Sequence, residues 1–179
     1  MTTNKTKGSR ASQRAFRLGP YQQAWVESLR TGGFGQTYGL LCEVADDGKY
    51  HCCLGVACEV AIVNGLPLTP EEGIVAADAP DRGVGRDGGS CITGTAYVHY
   101  ADKFIAGDGS THDEYALPPL VSDLLCFRSA EGHLSHTQQS FKEFPYNSLL
   151  LANDSRKVTF QQIADFVEKY PQVVFSKPA

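Results

Sequence analysis

The sequence lacks the features that mark membrane proteins, exported proteins and disulfide-rich scaffolds. No apolar run approaches the roughly 20 residues that a membrane-spanning helix needs, and the polar, basic N-terminus has no apolar signal-peptide core. The chain has six cysteines in 179 residues, which makes it long for a disulfide scaffold. We therefore expect a protein of the cytoplasm that makes no membrane contact, with reduced thiols that act mostly as small apolar groups.

The net positive charge of the chain is confined to its first residues, and the rest is acidic. Residues 1–17 hold five basic residues and no acidic one, a charge of +5, whereas the whole chain carries −4. Residues 18–179 therefore carry −9, and an acidic body argues against a nucleic-acid-binding face. We predict a flexible basic tail over 1–17 and a single domain over 18–179, and we expect no nucleic-acid contact outside that tail.

The most informative stretch predicts a β-hairpin that leads directly into a helix. Over residues 38–53, apolar residues alternate with others on both sides of an Asp-Asp-Gly sequence that favours a tight turn. From Leu54 the apolar period changes from two to about 3.6 residues. This change predicts a helix over about 54–64.

The rest of the chain predicts three more helices separated by irregular segments. The helices are expected at about 20–31, 117–126 and 159–170, the last with the capping-box spacing of Thr159 and Gln162. Proline and glycine make 66–116 a loop-rich insertion, apart from a strand near 91–100. A short strand or turn is expected at 148–151. The predicted fold is α+β, with a small antiparallel sheet built on the hairpin and packed by about four helices.

A glycine-rich stretch at 83–89 is the first candidate ligand-binding segment. Its backbone N–H groups would wrap an anion, and Arg82 and Arg86 would add positive charge. The stretch lacks the lysine and hydroxyl residue of a P-loop. With the polar strand that follows, it predicts a pocket for a small anionic molecule, and the candidate residues of that strand are Thr93, Thr95 and His99.

The second candidate segment is Asn153-Asp154-Ser155, which precedes the last predicted helix. Its residue types are typical of turns and helix caps, which is one interpretation. The other is a binding site, and Asn153 and Asp154 are kept as candidate ligand-binding residues.

Cysteine chemistry provides the alternative hypothesis. Cys52 or Cys53 would lie just before a helix N-terminus, where the helix dipole lowers the pKa of a thiol, and His99 would serve as base. The simpler interpretation is that both cysteines pack at a strand-to-helix junction. A zinc site is a further hypothesis, with Cys42, Cys52, Cys53, Cys58 and His51 as possible ligands and with Cys42 and Cys52 facing one another across the hairpin. The chain has no Cys-x-x-Cys pair, however, and we predict no metal and no cofactor.

Several motifs together resemble a family of small proteins encoded by bacteriophages and prophage-bearing bacteria. In chain order they are Trp25-x-x-x-Leu29-Arg30, Cys52-Cys53-Leu54-Gly55-Val56-x-Cys58, Leu117-Pro118, Asn153-Asp154-Ser155 and Phe160-x-x-Ile163-Ala164-Asp165. The Cys-Cys-Leu-Gly-Val-x-Cys block is the most specific of them. The resemblance covers about 20–65 and 117–170, and it implies a phage setting and a fold but no reaction.

These observations favour a binding function over catalysis. The expected protein is a phage-encoded accessory protein in the host cytoplasm that interferes with a host process, with host defence as the favoured target. Its partner would be a host protein or a small anionic, nucleotide-like signal. The alternative is a thiol-dependent hydrolase or transferase that uses Cys52 or Cys53, and a third hypothesis is a structural protein that self-associates.

Overall fold

The computed structural model describes residues 16–45, 47–75, 92–99, 116–135 and 143–179. These residues form an α+β fold, as the sequence predicts. The helices are α1 (Pro20–Thr31), α2 (Cys53–Val63), α3 (Pro119–Leu125), α4 (Leu149–Asp154), α5 (Phe160–Lys169) and α6 (Pro171–Val174). The strands are β1 (Gly35–Gln36), β2 (Cys42–Ala45), β3 (Gly48–His51), β4 (Leu68–Val75) and β5 (Ile92–His99).

Helices α1, α2, α3 and α5 correspond to the four helices that periodicity predicts. Helix α1 begins at Pro20, where a missing N–H is tolerated. Helix α5 begins after Thr159, and Gln162 completes the expected capping box. Local signals at helix ends therefore agree with the folded structure in this part of the chain.

The strands form one sheet in the order β1-β3-β2-β5-β4. The hairpin β2–β3 is antiparallel, as predicted, and so are the pairs β2–β5 and β4–β5, but β1 pairs with β3 in parallel and makes the sheet mixed. The hairpin also begins later than predicted, at Cys42. The chain turns at Gly39, which has φ +73°, and consecutive Leu40 and Leu41 are both buried, which a strand with one buried face does not allow.

Strand β4 lies in a part of the 66–116 segment that the sequence predicts as loop. It pairs with β5 over its whole length, from Leu68 opposite His99 to Val75 opposite Ile92. Pro70 disfavours a strand in the interior of a sheet, but β4 lies at the end of the described strand order, where proline is tolerated. Residues 76–91 and 100–115 lie outside the described part.

Helix α4 corrects the prediction of a short strand or turn at 148–151. Ser148 has extended backbone geometry, and its Oγ accepts a hydrogen bond from Leu151 N at 3.1 Å. Serine is a preferred N-cap residue, so the apolar run after it continues as a helix. Asn153 and Asp154 lie in the last turn of this helix.

The core is built around Trp25 on α1. This side chain is fully buried and lies edge-to-face with Phe127 and Phe175, with ring centroids 5.1 and 5.9 Å away. Phe16, at the end of the predicted tail, packs against the core, whereas residues 1–15 lie outside the described part. In the ranges the structure describes, every helix is too short or too polar to cross a bilayer.

Candidate functional site

Cys52 and Cys53 lie at the start of α2, as predicted. Cys52 is the N-cap, and its Sγ accepts a hydrogen bond from Gly55 N at 3.4 Å. The Cys53 carbonyl accepts the indole N–H of Trp25 at 2.9 Å. The junction is therefore a packed point where α1, α2 and the end of the hairpin meet.

The environment of these thiols opposes nucleophilic chemistry. Both side chains have 0% exposure. Burial raises the pKa of Cys52 to about 12, because it outweighs the hydrogen bonds that favour the thiolate. Burial raises the pKa of Cys53 well above its usual value as well. At the N-terminus of α2, Cys52 and Cys53 are therefore neutral thiols that solvent does not reach.

The register of the hairpin also bears on the zinc alternative. Cys42 lies opposite His51 on β3, so Cys42 and Cys52 do not face one another across the hairpin. Within the described ranges, no three histidine, cysteine or acidic side chains are grouped in a way that would hold a metal ion. The cysteines of this segment contribute to the apolar core instead.

His51 forms a buried ion pair with α2. Its Nε2 lies 3.1 Å from Glu59 Oε1, and its ring lies edge-to-face with Phe34 at a centroid distance of 5.1 Å. Burial disfavours the charged imidazole, but interactions with Cys42 and Glu59 outweigh it and raise the pKa of His51 to about 9. The contact between His51 and Glu59 therefore links β3 to α2, while His51 Nδ1 is buried and has no hydrogen-bond partner among the described residues.

This pair predicts a pH dependence of stability. The pKa of His51 is about 9 in the folded state and near 6.5 in the unfolded state. The stabilisation is therefore complete below the lower value and is lost as pH rises through the higher one. Urea unfolding across this range should show the loss in the wild type and a flatter curve in H51Q. The variant H133Q, at an exposed position, should keep the wild-type curve.

Asn153 joins three segments beneath the surface. It is fully buried, and its Oδ1 accepts hydrogen bonds from Gln36 Nε2 at 3.1 Å and Cys53 N at 3.2 Å. Its Nδ2 donates to Thr37 O at 2.8 Å and to Asp154 Oδ1 at 3.0 Å. These contacts use the whole hydrogen-bonding capacity of the amide. The structure thus gives Asn153 a clear positioning role, while its role as a ligand residue stays a prediction.

The other predicted ligand residues are only partly described. Arg82 and Arg86 lie outside the described residues. Thr93, Thr95 and His99 are all on β5 at alternate positions. Thr93 is opposite Val44, and Thr95 is opposite Cys42. The pocket that would combine them with the glycine stretch stays a prediction.

Close to Asn153 in the chain lies an exposed surface that the sequence does not predict. We call it the Tyr38 surface, and it consists of Tyr38 and Arg156, which are in contact, together with Lys157, which follows Arg156, and Leu151, which lies one turn before Asp154 on α4. Tyr38 is 37% exposed and Leu151 is 53% exposed, which is high for large apolar side chains. The guanidinium carbon of Arg156 lies 5.1 Å from the Tyr38 ring centroid, within cation–π range. Lys157 follows and is exposed.

Asp154 holds the two halves of this surface together. Its Oδ1 accepts a hydrogen bond from Gly39 N at 2.9 Å, which fixes the turn after Tyr38 to the end of α4. Leu151 lies one turn earlier on the same helix face as Asp154. Tyr38 therefore precedes a turn that is fixed to α4, and Leu151 lies on α4 itself, which limits the movement of these two residues relative to each other.

The backbone at Arg156 has an unusual conformation. Its φ is +58°, in the left-handed region, directly after the C-cap Ser155 of α4. Glycine is the usual residue there, and other residues cost roughly 1–2 kcal/mol. The chain keeps an arginine at a position where glycine would be less strained, which is a feature associated with functional sites.

Comparison with known proteins assigns no family to the chain. No protein-family model matches it, and neither a curated protein nor a solved structure matches it. The resemblance to phage-encoded proteins therefore stays a prediction that rests on the quoted motifs.

Proposed function

We propose that this protein acts by binding a host protein. In this proposal it is a phage-encoded accessory protein of the host cytoplasm that interferes with a host process, with host defence as the favoured target. The observation that carries the proposal is the exposed pair of Tyr38 and Arg156, held over a buried hydrogen-bond network. Tyrosine and arginine are the residue types most enriched among energetically dominant interface residues.

The hydrogen bonds of Asn153 and Asp154 favour binding because they reduce the conformational entropy that is lost when a partner associates. Asp154 fixes the turn at Gly39, and Asn153 fixes Asp154 to Thr37 and Cys53. A surface that is ordered before the partner arrives loses less conformational freedom on binding. Sequestration of a small anionic molecule is a second form of the same proposal, and it depends on Arg82 and Arg86.

The thiol-enzyme alternative receives no support from the geometry. A nucleophilic cysteine needs access to its substrate and a lowered pKa. Cys52 and Cys53 have neither, because burial closes both side chains and raises both pKa values.

The test is native mass spectrometry of the protein purified from prophage-bearing cells, compared with its denatured mass. We expect a complex with one protein partner at a fixed stoichiometry, and the bare chain after denaturation. An R128A variant, which alters an exposed arginine away from the Tyr38 surface, should keep the partner. A mass equal to the bare chain under native conditions would contradict the proposal, and a retained small molecule would support sequestration instead.

A further inference from the structure

We propose that the Tyr38 surface binds a short acidic segment of a protein partner, one that carries an apolar side chain next to its carboxylates. This inference rests on the proposed binding function and names the surface and the chemistry of its ligand. Two observations support it, namely the exposed cations and the exposed apolar area, and the charge of the rest of the chain bears on the choice between a peptide and nucleic acid.

Arg156 and Lys157 supply the charge that such a segment needs. Both are exposed, and among the described residues neither side chain has a hydrogen-bond or ion-pair partner. Arg30 shows the contrast, because it contacts Asp165 at 2.8 Å and Glu168 at 2.6 Å. The guanidinium of Arg156 offers a planar set of donors that fits a carboxylate in a bidentate manner. Its contact with the Tyr38 ring orients that set before a ligand binds.

The apolar part of the surface distinguishes a peptide from a simple anion. Tyr38 and Leu151 are exposed large apolar residues of the described chain. An inorganic anion would use the cations and leave this apolar area in water. A peptide with one apolar side chain between acidic residues would cover both, and burial of the apolar area would add to its affinity.

The charge distribution disfavours nucleic acid as the ligand. Residues 18–179 carry −9, so a long polyanion would meet repulsion beyond the local pair of cations. Screening limits such repulsion to about 8 Å at physiological salt. The attraction of a short acidic segment would come from Arg156 and Lys157, and the carboxylates of Asp154 and of Glu43, which contacts Thr37, would oppose it. Asp154, the nearest carboxylate on α4, is already engaged by Gly39 N and Asn153 Nδ2.

The experiment is selection from a random displayed peptide library on the full chain. We expect enriched peptides that are acidic and contain an apolar residue. Binding of these peptides should change the amide chemical shifts of Tyr38, Leu151 and Arg156 in the protein. Binding to R156G should fall about tenfold or more, since a charge-assisted bidentate contact is lost. Glycine suits the left-handed backbone there, so this variant should fold as well as the wild type.

The controls separate this inference from the binding function on which it rests. The R128A variant should bind the selected peptides as the wild type does, and increased salt should weaken binding. Enriched peptides that are neutral or basic, or that R156G binds equally well, would overturn the inference. If such peptides map to another surface, the binding function survives and the assignment to the Tyr38 surface fails. A library that yields no binder overturns the inference, and competition by single-stranded DNA at Arg156 would replace the peptide with nucleic acid.

Discussion

Replacement of Gly55 by alanine is expected to lower the free energy of unfolding by about 3 kcal/mol or more. A Cβ at this position would lie 1.7 Å from the carbonyl oxygen of Leu41 and 2.7 Å from its carbonyl carbon. Both atoms belong to the backbone, so no side-chain rotation relieves the overlap. The helix and the hairpin would have to separate, which would disturb the hydrogen bond from Cys52 N to Leu41 O at 3.1 Å.

The expected loss of stability at Gly55 is opposite in sign to the usual effect of alanine in a helix. In an ordinary helix, a change from glycine to alanine raises stability by about 1 kcal/mol. Urea unfolding of G55A should instead show a much lower midpoint. The control V63A adds an alanine to the same helix at a side chain that is 84% exposed, and it should change stability little. A stability of G55A equal to or above that of the wild type would contradict the close contact with Leu41.

Replacement of Asn153 by leucine is expected to cost about 3–5 kcal/mol. Leucine preserves the approximate volume of the side chain but makes none of its four hydrogen bonds. Cys53 N and Thr37 O, which contact the amide, would lose this partner within the fold. Each such loss costs about 1–3 kcal/mol when the group is shielded from water. The turn at Gly39 would also lose part of its anchor through Asp154.

The same variant connects the buried network with the Tyr38 surface. Urea unfolding should show the loss of stability in N153L, whereas N147L, at an exposed asparagine, should remain close to the wild type. Below the unfolding transition, N153L should also give altered amide chemical shifts at Tyr38 and Gly39. If N153L is as stable as the wild type, Asn153 does not position this surface, and its role as a ligand residue gains weight.

Much of the fold is predictable because its signals are local. Helices α1 and α5 have the expected proline, capping box and apolar stripe, and α2 begins where the apolar period changes. Helix α4 and strand β4 are missed because tertiary context outweighs their local composition. Ser148 caps an apolar run that looks like a strand, and Pro70 lies in a strand at the end of the sheet.

The Tyr38 surface could not be predicted because it depends on contacts between distant parts of the chain. The alternation around Tyr38 favours a strand, whereas in the structure the chain turns at Gly39 and the turn is fixed by the bond from Gly39 N to Asp154. Nothing in the residue type of Arg156 indicates a left-handed backbone, since that conformation favours glycine. The aromatic ring and the guanidinium meet only after both turns have formed.

The cysteine block illustrates how a specific motif can have a structural explanation. Cys52 caps α2, Cys53 O accepts the Trp25 indole, and Gly55 allows the close approach of Leu41. Cys58 is fully buried as well, and burial raises the pKa of its thiol well above the usual value. The spacing of the motif thus follows from packing, with no need for a reactive thiol.

Peptide-resolved labelling with iodoacetamide near neutral pH tests most directly the central claim that separates a binding protein from a thiol enzyme, namely that neither Cys52 nor Cys53 is a nucleophile. We expect Cys52 and Cys53 to remain unlabelled in the native chain and to react only as it unfolds, at a rate that rises with urea. Labelling after full unfolding provides the reference for complete reaction. Fast labelling of either cysteine in the native chain would contradict the account and favour the thiol-dependent enzyme.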